Sequence, residues 1–215
     1  MRRRWAAVPL SHRVIVAGAA VAAALVALNL LDRVADIDSS LIDLETENSL
    51  TTWWSSFQFG LAAIAALAVV LLDGGPATVW APIAAVMAVF SVDEVAQLHE
   101  RVEGVSEGHW IVGAVEPLVA VAILAFAVYA LRRLTHQQHP LLVLAAVFLV
   151  AANASGALND AGATTASSWG EHRLAAQEEV CEMLVGTFVL AAALPAVVAR
   201  LRERDAARPT ASRSA

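Results

Sequence analysis

The 215-residue chain has no lysine, and all 14 of its basic residues are arginine. It has a single cysteine, a single tyrosine and only 16% charged residues. Each scarcity excludes something. One thiol, Cys181, cannot form an internal disulfide or a cysteine-based zinc motif. A soluble domain carries about 25% charged and about 45–50% apolar residues. Here 59% are hydrophobic and the mean hydropathy is +0.64, which excludes a soluble enzyme and a disordered chain. A net charge of −6 and a pI near 5.5 exclude nucleic acid as a partner. The apolar residues fall in long runs without strand-like alternation, which excludes a transmembrane β-barrel.

What remains is a helical membrane protein. Six apolar segments are long enough to cross a hydrocarbon core with some tilt. They are His12–Leu31, Trp53–Leu72, Thr78–Leu98, Trp110–Leu131, Pro140–Asp160 and Gln177–Ala199. The expected architecture is an all-α, polytopic bundle of six transmembrane helices in one domain, residues 1–200. A disordered tail, 201–215, follows. Only the connection Asp32–Thr52 is long, so consecutive helices are expected antiparallel. Met1-Arg-Arg-Arg before an apolar run also suits a signal peptide. The run is too long for one, and the first segment reads as a retained helix.

The arginines orient the bundle. With the N-terminus in the cytoplasm, only Arg33, Arg101 and Arg173 lie outside, and the other eleven lie inside. Only Asp73, Glu203 and Asp205 among the 20 acids lie inside. The expectation is a multi-pass protein of the inner (plasma) membrane with both termini cytoplasmic. Trp53, Trp54, Trp110, Trp169 and Trp80 fall near span boundaries, as interfacial anchors do. In the outer connection, Ile37, Leu41 and Leu44 have the spacing of a short amphipathic helix on the surface, a candidate lid.

Polar groups are costly in lipid and by default face a bundle interior. In the third span Asp93, Gln97 and Glu100 share one helical stripe, with Glu94 on an adjacent one and His99 on another side. His109 and Glu116 share a stripe of the fourth span, and Asn153 and Asp160 one of the fifth. Glu171, Glu178 and Glu182 form a line on the sixth, beside His172 and Glu179. Ser168-Trp-Gly-Glu171 is a capping box that predicts this helix starting above the membrane. At about 1.5 Å per residue, Asp93, Glu116, Asn153 and Glu182 come to one layer roughly 7–10 Å below the outer face of a core about 30 Å thick. His99, His109, Asp160 and His172 sit above that layer.

Carboxylates and imidazoles on facing helices are how bundle metal sites are built. The leading expectation is a divalent metal ion, zinc or iron. Its ligands would come from His99, His109, His172, Asp93 and Glu94. Glu178, Glu182 and Glu116 would serve as ligands or as a general base with a raised pKa. Gln97, Glu100, Asn153, Asp160, Glu171 and Glu179 would line the rest of the pocket. Such a pocket suits metal-dependent hydrolysis or redox chemistry on a lipid-soluble substrate. The chain has no Glu-x-x-His pair, which departs from the di-iron bundle pattern.

Three other readings stay open. One is a non-catalytic subunit or partner-binding protein with a structural polar seam, a role that suits Gln58, Asn29 and Asn153. Another is a proton or cation transporter using Glu116 and the acidic cluster. The third is haem ligation by the outer histidines. The expected partners are the bilayer, a lipid-soluble ligand or another membrane protein, including a further copy of the chain.

Overall fold

A chain inside lipid has no water to satisfy its amides, so each crossing must be an uninterrupted helix. The computed structural model describes residues 8–35, 37, 39–43, 49–97, 125–160 and 168–208, and only the backbone of 157, 159, 160 and 168–172. The fold is all-α. Its helices are α1 (Leu10–Ala35), α2 (Leu50–Leu71), α3 (Ala77–Ala96), α4 (described over 125–131), α5 (His139–Asp160) and α6 (Ser168–Ala207). Among the described residues, α1, α2, α3, α5 and α6 are each long and apolar enough to cross a bilayer. The protein is a multi-pass membrane protein.

The helices follow the apolar runs closely. α5 starts one residue before Pro140 and ends at Asp160 as expected. α4 ends at the expected Leu131. α6 departs most. It begins at Ser168, where the capping box placed it, and runs for 40 residues. Residues 201–207, expected in a disordered tail, are its last two turns. Arg200 pairs there with Glu203 at 2.9 Å, an i, i+3 pair that favours continued helix.

α6 is the axis of the assembly, packing against α5, α2 and α1, while α3 packs on α2. Pairs of contacts set the directions. Ser56 meets Ser91 and Tyr129 meets Thr78, so α2 and α3 are antiparallel, as are α3 and α4. Gly156 lies against Glu178 and Gly18 against Thr187, so α5 and α1 run opposite to α6. α2 runs parallel to α6. Gln58 donates to Thr187 near one end, and Val69 clusters with Val197 near the other. One end of the bundle therefore gathers arginines and the other gathers acids.

Toward the arginine end, Ala65, Ala66 and Val69 of α2 pack with Ala192, Ala193 and Val197 of α6 and with Trp80 and Ala84 of α3. Small residues let helix backbones approach closely where lipid supplies no hydrophobic drive. Nearer the middle, Phe59 and Met87 join Val185, Phe188 and Val189, and Phe148 stacks on Phe188 at 5.6 Å. Trp80 is a correction to the boundary reading, being fully buried in this core. Trp53 is exposed as an anchor should be, whereas Trp54 packs inward among Leu25 and Met183.

Two ends show how the helices stop. After α2, Gly74 N donates to Val69 O at 2.8 Å and Asp73 N to Val70 O at 3.2 Å. This is a Schellman closure with Asp73, at φ 56°, in the left-handed position. α3 ends at Ala96, because Gln97 is left-handed with φ 52°.

The described part of the outer connection is a turn over residues 40–42, not the expected amphipathic helix. Ile37 and Leu41 are both exposed. The end of α1 holds this turn. Asn29 Nδ2 donates to Ile42 O, Ser39 N donates to the carboxylate of Asp32, and Arg33 pairs with Asp43 at 3.2 Å. These buried and half-buried bonds satisfy backbone groups that no helix covers.

Candidate functional site

The acidic ends of α3, α5 and α6 carry the described members of the expected pocket. Asp93 and Glu94 lie in the last turn of α3 and are half-buried. Gln97 leaves the helix at its left-handed cap, so the helical stripe expected to continue from Asp93 through Gln97 to Glu100 breaks there. Glu178, Glu179 and Glu182 are half-buried on α6, in the first third of its apolar span Arg173–Ala207. Cys181, buried, lies in the same turn.

α5 reaches this carboxylate face at Gly156. Glu178 rests against Gly156, where an added Cβ would lie 2.5 Å from Oε1. Only glycine leaves room for the carboxylate there, so the sequence at 156 positions Glu178. Glu182 is one turn further along the same side of α6. Glu179 is turned about 100° from Glu178.

Asn153 does not join this face. It is exposed and donates to Leu149 O of its own helix at 2.7 Å. Ser155, two residues on, is a buried polar residue of α5, bonded back to Ala151 O at 2.9 Å. Asp160, Glu171 and His172 are on helical backbone, at the acidic ends of α5 and α6. His99, Glu100, His109 and Glu116 lie outside the described residues. Among the described residues, no three His, Cys, Asp or Glu side chains converge as a metal-ligand group.

Two polar clasps were not anticipated as pairs. Ser56 Oγ donates to Ser91 O at 2.7 Å, and Ser91 Oγ donates to Ser56 O at 2.9 Å, a reciprocal link between α2 and α3. Gln58 Nε2 donates to Thr187 Oγ1 at 2.8 Å, and Thr187 Oγ1 donates to Met183 O at 2.9 Å. Gly18 of α1 presses on the same threonine. Gln58 thus has the structural role its amide suggested, as Asn29 does at the α1 turn.

A family model described as a domain of unknown function (DUF8692) matches residues 13–198. The chain belongs to that family. The DUF8692 match begins in α1 and ends in α6, so it takes in both clasps and the Glu178–Gly156 contact but not the arginine-rich last turns of α6. No curated protein matches the chain. No solved structure matches it.

Proposed function

We propose that the protein is a membrane-embedded cation-binding protein. In this reading the carboxylates at the acidic ends of α3 and α6 hold a divalent metal ion, zinc or iron, near the outer face of a plasma membrane. The arginine-rich end then faces the cytoplasm. One observation carries the proposal: Glu178 and Glu182 share one side of a membrane-crossing helix, and Glu178 is seated against Gly156. Two carboxylates a turn apart in a medium of low dielectric favour a cation beside them. Asp93 and Glu94, with His99, His109, His172 and Glu116, are the candidates to complete the ligand set. An ion with one coordination position open would activate water or polarise a lipid-soluble substrate.

The packing favours a pocket over a through-path. Beyond the Gln58–Thr187 clasp, the α2–α6 seam is filled by Ala65, Ala66, Val69, Ala192, Ala193 and Val197. None of these side chains can relay an ion.

Thermal unfolding of detergent-purified, chelator-treated protein with added Zn²⁺ or Fe²⁺ tests the proposal. A ligand at a hundredfold excess over Kd stabilises by about 2.7 kcal/mol. The melting temperature should therefore climb with the logarithm of metal concentration, and Glu178→Gln should flatten that climb. An unfolding temperature indifferent to both metals would sink the reading.

A further inference from the structure

The junction of α1, α2 and α6 carries three buried polar atoms with no hydrogen-bond partner among the described residues. They are Trp54 Nε1, Ser55 Oγ and Gln58 Oε1. Ser55 and Gln58 are 0% and 4% exposed. All three side chains come from a little over one turn of α2, at positions i, i+1 and i+4. Residues three or four apart on a helix have Cβ atoms about 5–6 Å apart. Around the helix Gln58 lies between the other two, about 40° from Trp54 and about 60° from Ser55. The Trp54 ring packs on Leu25 of α1 and Met183 of α6. The Gln58 amide nitrogen is fixed on Thr187, one turn beyond Met183, which leaves its oxygen as the unused end.

An unpaired amide or hydroxyl in an apolar interior costs about 1–3 kcal/mol. Three within about one turn exceed what a marginally stable bundle tolerates without a partner. Their chemistry is complementary to one small ligand. The indole N–H can only donate, the amide oxygen can only accept, and the hydroxyl can do either. Water makes two to four such bonds. Ser155 and Thr187 show the alternative open to a lone hydroxyl, a bond back to the carbonyl four residues earlier. Ser55 does not take it.

We propose that Trp54, Ser55 and Gln58 form a buried water site at the α1–α2–α6 junction, in which one water accepts from the indole and donates to the hydroxyl and the amide. Further along α6 lie the Gly18–Thr187 contact and the alanine-packed seam. Toward the acidic end of α2, Thr51 and Ser49 carry buried hydroxyls that bond each other at 2.5 Å. The water site is separate from the carboxylate face proposed to hold a cation, which lies on the α5 side of α6.

Radiolytic hydroxyl-radical labelling of the detergent-purified full chain tests the site, since a side chain is labelled only where water lies against it. Met183 is 0% exposed, so bulk solvent cannot label it. The expected result is oxidation of Met183 at doses that label exposed Trp53. That oxidation is lost in Trp54→Phe and in Ser55→Ala, each of which removes one polar atom and keeps the packing. Both variants should also melt below the parent, and the double variant should lose less than the sum. Unlabelled Met183 in the parent overturns the proposal. So does a Ser55→Ala variant that melts higher, because deleting an unpartnered hydroxyl is stabilising.

Discussion

The carboxylate of Glu178 lies against the α-carbon of Gly156, so that a methyl group on residue 156 would sit 2.5 Å from Oε1. The near atom is the far end of a flexible side chain, which can shift at small cost. Gly156→Ala should therefore leave the bundle folded and displace the carboxylate. If Glu178 binds a cation, affinity should fall on the order of tenfold, the size seen when a ligand loses its positioning neighbour. Metal titration by calorimetry, with circular dichroism as the folding control, reads both effects.

Gly18 and Thr187 form a close crossing of α1 and α6. A Cβ on residue 18 would overlap the threonine side chain. That side chain cannot rotate freely, because Gln58 and Met183 O hold its hydroxyl. Gly18→Ala should cost about 1–3 kcal/mol, the range for overpacking. Thr187→Ala removes the atoms that clash, so the double variant should be more stable than the sum of the two singles predicts. Thermal melts of the four proteins close the cycle, and strict additivity would mean the two residues do not touch.

The turn after α2 offers a paired comparison. A Cβ on Gly75 would lie 2.7 Å from Nε1 of the fully buried Trp80, while one on Gly74 would make ordinary contacts at 3.4 Å. Gly75→Ala should destabilise by about 1–3 kcal/mol, and Gly74→Ala should change little. Equal melting temperatures for the two variants would contradict the buried position of Trp80.

Ser56 and Ser91 exchange hydroxyl-to-carbonyl bonds between α2 and α3. Interhelical bonds of this kind average about 0.6 kcal/mol and reach about 1.7 kcal/mol. A Ser56→Ala, Ser91→Ala cycle measured by unfolding in mixed micelles should give a coupling energy in that range.

Helix positions were legible because lipid imposes a length and an apolar composition on every crossing. The starts of α3 and α5 and the end of α2 fall within a residue of the apolar run. Helical spacing also grouped Glu178 with Glu182, and both lie on one continuous helix. It could not say which neighbour a stripe faces. Asn153 was grouped with the pocket by spacing and by depth, yet its side chain turns back to Leu149 O, and Gly156 is what meets Glu178. Spacing also presumes that the helix continues. Gln97 adopts a left-handed cap that no glycine or asparagine announces, so its own departure from the helix was not legible. The Gln58–Thr187 bond joins residues 129 positions apart, a separation on which periodicity along one helix is silent. The position of Trp80 misled for a similar reason. A tryptophan near a span boundary suits the interface, but the glycine at 75 lets the α2–α3 turn close over the ring.

The central claim is that the acidic end of the bundle holds a divalent metal ion through α6 carboxylates. Elemental analysis of detergent-purified protein tests it most directly, comparing the parent with Glu182→Gln and with His99→Ala. The account predicts stoichiometric zinc or iron in the parent and its loss in both variants while they remain folded. Metal-free parent protein with normal folding, or metal retained in Glu182→Gln, would contradict it.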